Sequence, residues 1–137
     1  MRRNFALPFI VILLSWHCAA QEYVVIGNKA LPQLSVTQIR AVYLKKLPRI
    51  ATIKTVPVNL GAGNPLRQSF ERTVLQMGFQ RLQSYWSRQH YLGQRPPVTM
   101  KSQESALAFV KNVEGAIAYI HAALVDDEVH VLYRWNE

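Results

Sequence analysis

Short apolar runs alternate with amphipathic stretches along this chain. Tyr23-Val24-Val25-Ile26 is a continuous apolar run closed by Gly27-Asn28, the pattern of a buried strand. Pro32 falls in the following loop. Ser35-Val36-Thr37-Gln38 is a capping box, in which the serine hydroxyl accepts from a first-turn N–H and the glutamine reaches back. Val36, Ile39 and Tyr43 then recur at helical spacing, which predicts a helix over about 36–45 before Pro48. Residues 50–55 alternate loosely and predict a short edge strand. Val56-Pro57-Val58-Asn59-Leu60 predicts another, its proline favouring an edge or a strand start.

Gly61-Ala62-Gly63-Asn64-Pro65 is the sharpest local signal: a flexible turn, an asparagine suited to the N-cap and a proline suited to the first helical position. Leu66, Phe70, Val74 and Met77 form the apolar stripe of the helix that follows, and Gly78 interrupts it. Phe79, Leu82 and Trp86 form the stripe of a second helix reaching about His90. Gly93 to Pro97 reads as a loop, and Ser102 caps a third helix running through Leu107 and Val110 to Asn112. After the turn at Glu114-Gly115, the apolar run from Ala116 to Ile120 predicts a central strand. Asp126-Asp127-Glu128 is a polar turn, and Val129, Val131 and Tyr133 alternate as a last strand. Strands alternate with helices throughout, which predicts an α/β sandwich with a mixed sheet and helices on both faces. There is no internal repeat and no linker long enough to split two domains.

The N-terminus changes which residues belong to that fold. Arg2 and Arg3, an apolar stretch to Leu14 and the small residues Cys18-Ala19-Ala20 make the three-part pattern of a secretory signal cut after Ala20. An uncleaved anchor is the alternative, although the stretch is short for a membrane span. Lipidation at Cys18 is disfavoured by the bulky Trp16 and His17. The expected organisation is a signal peptide over 1–20 and one domain over 21–137. The chain's single cysteine leaves with the signal, which excludes a disulfide framework and a thiol nucleophile from the exported domain.

Of 137 residues, 16 are Lys or Arg and 8 are Asp or Glu, a formal charge of +8. The excess is uneven. Residues 40–101 carry eleven bases and only Glu71 as an acid, whereas residues 102–137 carry six acids and two bases. Export takes such a chain away from nucleic acid. A basic middle segment is left to meet anionic small molecules, headgroups or acidic protein surfaces, or simply to keep the domain solvated.

The turn and helix start after residues 56–60 form a candidate anion site. Helix-start N–H groups at Gly61, Ala62, Gly63, Asn64 and Leu66 would donate to the anion, with Asn64 also the cap and Arg67 the counter-charge. A plain turn and cap is the competing interpretation, because the run lacks both the Gly-Lys-Ser/Thr of a phosphate-binding loop and the dinucleotide fingerprint. No Gly-x-Ser-x-Gly occurs. His90, His121 and His130 lack ligand spacing, so neither catalysis nor a metal or other cofactor is expected. Tyr85, Trp86 and Tyr91 suit a hydrophobic core, or stacking on a ligand.

The order of these motifs carries a family resemblance. Leu34-Ser35 through Ile39 to Tyr43-Leu44 resembles a helix of phosphate ABC-transporter substrate-binding proteins. Pro57-Val58-Asn59, followed by Pro65-Leu66-Arg67, Phe70 and Val74-Leu75, is similar to a segment of their small single-domain relatives. So are Tyr85-Trp86, Tyr91-Leu92-Gly93, Pro96-Pro97 and the run Gly115-Ala116-Ile117-Ala118-Tyr119-Ile120. The resemblance implies a single lobe of a type II periplasmic-binding-protein-like fold, a three-layer α/β sandwich with a mixed sheet. It also implies a periplasmic, non-enzymatic domain that binds phosphate or a similar oxyanion weakly for an ABC-type uptake system. The two-lobed members bind phosphate through Arg, Ser and Thr side chains, and those positions fall here on Asn59, Gly63 and Pro65. This departure supports an alternative: a periplasmic protein–protein interaction module that keeps the fold and has lost phosphate. Its partner would be an envelope protein or a second copy of the chain, with membrane contact only through a partner.

Overall fold

The structure, a computed structural model, describes residues 11–12 and 21–137, so the expected signal segment lies outside the described residues apart from Val11 and Ile12. In chain order the elements are β1 (Glu22–Asn28), α1 (Val36–Tyr43), β2 (Arg49–Ile50), β3 (Ile53–Lys54), β4 (Val56–Leu60), α2 (Pro65–Ser69), a π-helical stretch (Phe70–Leu75), α3 (Phe79–Tyr91), β5 (Val98–Met100), α4 (Gln103–Asn112), β6 (Ala116–His121), a short 3₁₀ turn (Ala122–Leu124) and β7 (Val129–Asn136). Five strands form one sheet in the order β5-β4-β6-β1-β7. β4 runs parallel to both β5 and β6, and β1 runs antiparallel to β6 and β7. The mixed sheet and the α/β class are those expected from the sequence.

β6 and β1 occupy the middle of the sheet, and the side chains of Val24, Val25, Ile26, Ile117, Tyr119 and Ile120 are all buried. Burial on both faces requires cover on both, since alternate side chains point to opposite faces. One face stacks against α1 and the π-helical stretch. There Phe70 lies flat on Tyr119 with ring centroids 4.1 Å apart, and Tyr43 tilts against Phe70 at 4.7 Å. Trp135 closes the cluster, its indole N–H donating to Ser69 Oγ at 2.9 Å. The other face is covered by α4 through Ala106 and Val110, and Ala116 and Ala118 on β6 let that helix approach closely.

Several local expectations are met by a mechanism that can be read directly. Ser35 and Gln38 complete the capping box of α1. Asn64 caps α2 through its side chain, with Pro65 at the first helical position. A contact not foreseen in the sequence joins α1 to the π-helical stretch, where Arg40 Nε donates to the Val74 carbonyl near its C-terminus at 2.6 Å.

The structure departs from the sequence reading in six places. The helix expected to carry Leu66, Phe70, Val74 and Met77 is α-helical only over Pro65–Ser69, goes on as the π-helical stretch to Leu75 and is capped by Gln76 at a φ of +55°, so Met77 lies outside it. The predicted single strand over 50–55 is a two-stranded hairpin, β2 with β3, separate from the main sheet. β4 is internal, so of the two positions expected for its proline the strand start holds and the edge does not: Pro57 is the second residue of β4. Val56 N–H turns towards β6 and donates to the Gly115 carbonyl at 2.9 Å, so position 57 faces the β5 side, where pairing begins only at Val58. β5 lies between the loop ending at Pro97 and the cap Ser102, a stretch too short to show a periodic pattern. β7 is present, but its inward residues are Val129, Leu132 and Trp135, because a register shift opposite Val25 and Ile26 inserts Leu132 as an extra residue. Finally, the stripe of α3 is not core: only Leu82 is buried, and Phe79 is 65% exposed.

Candidate functional site

The parallel strands β4 and β6 carry the polar centre of the domain at the carboxyl end of β4. Tyr119, buried on β6, donates its hydroxyl to Asn59 Oδ1 at 2.9 Å and accepts the Leu60 N–H at 3.1 Å. Tyr43 from α1 donates to the Val58 carbonyl at 2.8 Å. Burial pushes both phenols up, Tyr43 well above its ordinary value, so both remain neutral hydrogen-bond donors. These bonds hold the end of β4 and aim the turn that follows.

That turn contains the residues singled out in the sequence. Gly61 is partly exposed, while Ala62 and Gly63 lie at the surface. The Asn64 N–H donates to the Gly61 carbonyl at 2.9 Å, which closes the turn. The Leu66 N–H, one of the expected anion donors, is taken by Asn64 Oδ1 at 2.9 Å, and the Leu66 side chain is buried. A Cβ built on Gly61 or Gly63 meets nothing within 4 Å, so the backbone there is open to solvent.

Arg67 does not point into that open space as an unpaired cation. Its Nε donates to Glu71 Oε1 at 2.5 Å, one helical turn on, and a terminal nitrogen donates to the Leu60 carbonyl at 2.9 Å. The two side chains are 22% and 15% exposed, so the pair is largely shielded from water. Its fields also oppose each other at Tyr119: Arg67 lowers the phenol and Glu71 raises it. Glu71, the lone acid of the basic middle segment, therefore neutralises the base chosen as the anion's counter-charge. Sequence reading missed this, although the (i, i+4) spacing of an Arg and a Glu on one helix is a signal that could have shown it.

A cleft of about 610 Å³ opens beside this pair. It is lined by Asn59, Arg67 and Glu71, by Tyr43, Leu44 and Leu75, and by residues of α3. Phe79, Leu82, Trp86 and His90 recur along α3 at helical spacing and line it, as do Tyr91 and Pro96-Pro97. Trp86 is half-buried and Tyr91 is 89% exposed, so neither is core. Tyr85 does pack inward and donates its hydroxyl to the Leu44 carbonyl. A smaller cavity of about 370 Å³ is lined by Arg67, Glu71 and Phe79 together with Ala62.

His121 packs against Tyr23 at 4.7 Å and His130 lies 3.3 Å from the Leu31 carbonyl, both away from the cleft. Among the described residues, no group of three His, Cys, Asp or Glu side chains is placed to hold a metal ion. No buried side-chain nitrogen or oxygen among them lacks a hydrogen-bond partner. Nor is any helix among them long and apolar enough to cross a membrane.

No family model and no curated protein matches the chain by sequence. Its fold does match solved structures. One is a protein of Clostridium perfringens, described as a phosphate ABC transporter substrate-binding protein and solved with bound phosphate, with a TM-score of 0.67 and 21% identity over 82% of this chain. Another is an ABC-type phosphate transport receptor from Vibrio cholerae, with a TM-score of 0.64 and 15% identity over 82% of this chain. The match spans 44% and 46% of those two chains. By its fold this protein is similar to phosphate ABC transporter substrate-binding proteins, over less than half of their length.

Proposed function

We propose that the protein is an exported, non-enzymatic binding domain of the periplasm that recognises a macromolecular partner rather than free phosphate. The observation that carries this reading is the Arg67–Glu71 pair. A carboxylate 2.5 Å from the guanidinium, in a place where both are mostly shielded, cancels the charge that a free oxyanion needs. The Leu66 N–H is likewise already bonded. An ion binding here would have to displace internal bonds and would meet the negative Glu71, at an open turn where water competes for every donor. The fold likeness supports a role in binding, and the basic middle segment supports a partner with acidic surface, or a second copy that offers its acidic C-terminal part.

One observation favours a second reading, an oxyanion site at residues 61–67 serving an ABC-type uptake system. The Gly61–Gly63 backbone is open, and the similar Clostridium perfringens protein was solved with phosphate bound. Calorimetric titration with phosphate separates the two. The proposal expects no saturable heat at millimolar phosphate, together with a partner that crosslinks in envelope extract. Saturable heat that disappears in Arg67→Ala would overturn it in favour of the oxyanion site.

A further inference from the structure

We propose that the cleft along α3 is a docking groove for an acidic peptide segment of a partner protein, a segment with aromatic or aliphatic side chains between its carboxylates. The inference rests on the binding-domain reading above and adds the surface and the chemistry of the partner.

The first support is a helix face without a partner. α3 is thirteen residues long and buries only Leu82, yet Phe79, Leu82 and Trp86 recur on one stripe that lines the cleft. A helix packed on its own core hides such a stripe. Here Phe79 is left 65% exposed, and Tyr91 and Leu92 at the helix end are 89% and 74% exposed. Large aromatics standing free around a concavity are the anchors and pockets of protein recognition. The cleft volume of about 610 Å³ suits a few side chains of an inserted segment.

The second support is charge. The positions that line the cleft lie within residues 43–97, which carry nine Lys or Arg and one acid, and that acid is Glu71, already bonded to Arg67. Three bases are next in sequence to lining positions: Lys45 to Leu44, Arg88 to Ser87 and Arg95 to Pro96. Arg88 and Arg95 are exposed. With Arg67 and Glu71 cancelling each other, exposed Arg88 and Arg95 beside lining positions favour a segment that is apolar at its anchors and negative around them. Concavity decides between a peptide and an anionic bilayer, because a bilayer offers no projecting side chains to fill the cleft.

The test uses the purified protein and a synthetic peptide of about twelve residues in which Asp and Glu alternate with Phe and Leu. A second peptide carries Lys in place of every acid, and vesicles of phosphatidylglycerol form a third arm. The Trp86 and Trp135 indole N–H signals are followed by NMR. The acidic peptide is expected to shift Trp86 and leave the buried Trp135 in place, with an affinity that falls at least about tenfold in Phe79→Ser/Tyr91→Ser. Both changes are at exposed positions, and circular dichroism checks that the variant folds. Arg88→Glu/Arg95→Glu should reverse the preference towards the Lys peptide. The groove is overturned by any of three results: no shift of Trp86 at about 1 mM acidic peptide, equal binding of both peptides, or vesicle binding without peptide binding. An envelope partner that binds Phe79→Ser/Tyr91→Ser as well as wild type also overturns the groove, yet leaves the binding-domain reading standing. Saturable phosphate heat lost in Arg67→Ala instead removes that reading.

Discussion

Glu71→Gln tests the central electrostatic argument, since it keeps the shape and the acceptor oxygen and removes the charge. The pair lies between two regimes. Exposed ion pairs contribute about 0.2–1 kcal/mol, and deleting one partner of a fully buried pair costs about 3–5 kcal/mol. With side chains 22% and 15% exposed, and with the hydrogen bond from Arg67 Nε retained by the amide, we expect a loss of about 2 kcal/mol. The variant then holds a shielded guanidinium without a counter-charge beside an open glycine turn, which is the condition a phosphate ion can satisfy. A site with a Kd of about 5 mM would restore about 1.8 kcal/mol in about 100 mM phosphate by mass action. Urea unfolding in phosphate and in chloride at matched ionic strength reads this. Phosphate stabilises folded proteins without binding them, so the quantity of interest is the difference between variant and wild type. If Glu71→Gln gains no more from phosphate than wild type does, neutralisation by Glu71 is not what closes the site. If wild type itself gains the full amount, the site was never closed.

Gly115→Ala should cost at least about 3 kcal/mol and lower Tm by about 10 °C, because φ is +81° and a Cβ would lie 1.9 Å from the Lys54 carbonyl oxygen, a backbone atom that cannot swing away. Thermal unfolding followed by circular dichroism checks it, and a loss under about 1 kcal/mol would contradict the packing described. Tyr119→Phe should cost about 2 kcal/mol in urea unfolding, because Asn59 Oδ1 and the Leu60 N–H both lose their partner in a buried place. The Lys111 ammonium holds the Asp126 carboxyl below its ordinary 3.8, with the Glu128 N–H adding to the effect. A lowered carboxylate contributes stability above 3.8 that is lost as pH falls through its folded value, so Asp126→Asn should remove that part of the acid dependence. Unfolding followed between about pH 5 and pH 2 compares the two proteins, and identical profiles would exclude the pair's contribution.

What the chain determines by itself is local. The capping box at Ser35 and Gln38, the Asn64-Pro65 helix start and the apolar runs of β1 and β6 are written in neighbouring residues, so each was legible from spacing alone. The mixed sheet follows from their order. What only the tertiary structure decided involves residues that meet across the fold. β4 became internal because β5 pairs with it only from Val58, and β7 buries Leu132 because the register shifts opposite Val25 and Ile26. α3 has a regular amphipathic pattern, but of its stripe only Leu82 is buried, and periodicity cannot reveal whether a neighbour exists. The same division holds at the site. Sequence located the turn at Gly61–Gly63 and picked out Arg67 as a base at a helix start. Whether that base was available depended on where Glu71 and the Leu60 carbonyl stand, 2.5 and 2.9 Å away. Charge counts are additive along a chain, but the charge a ligand meets is set by pairing in space.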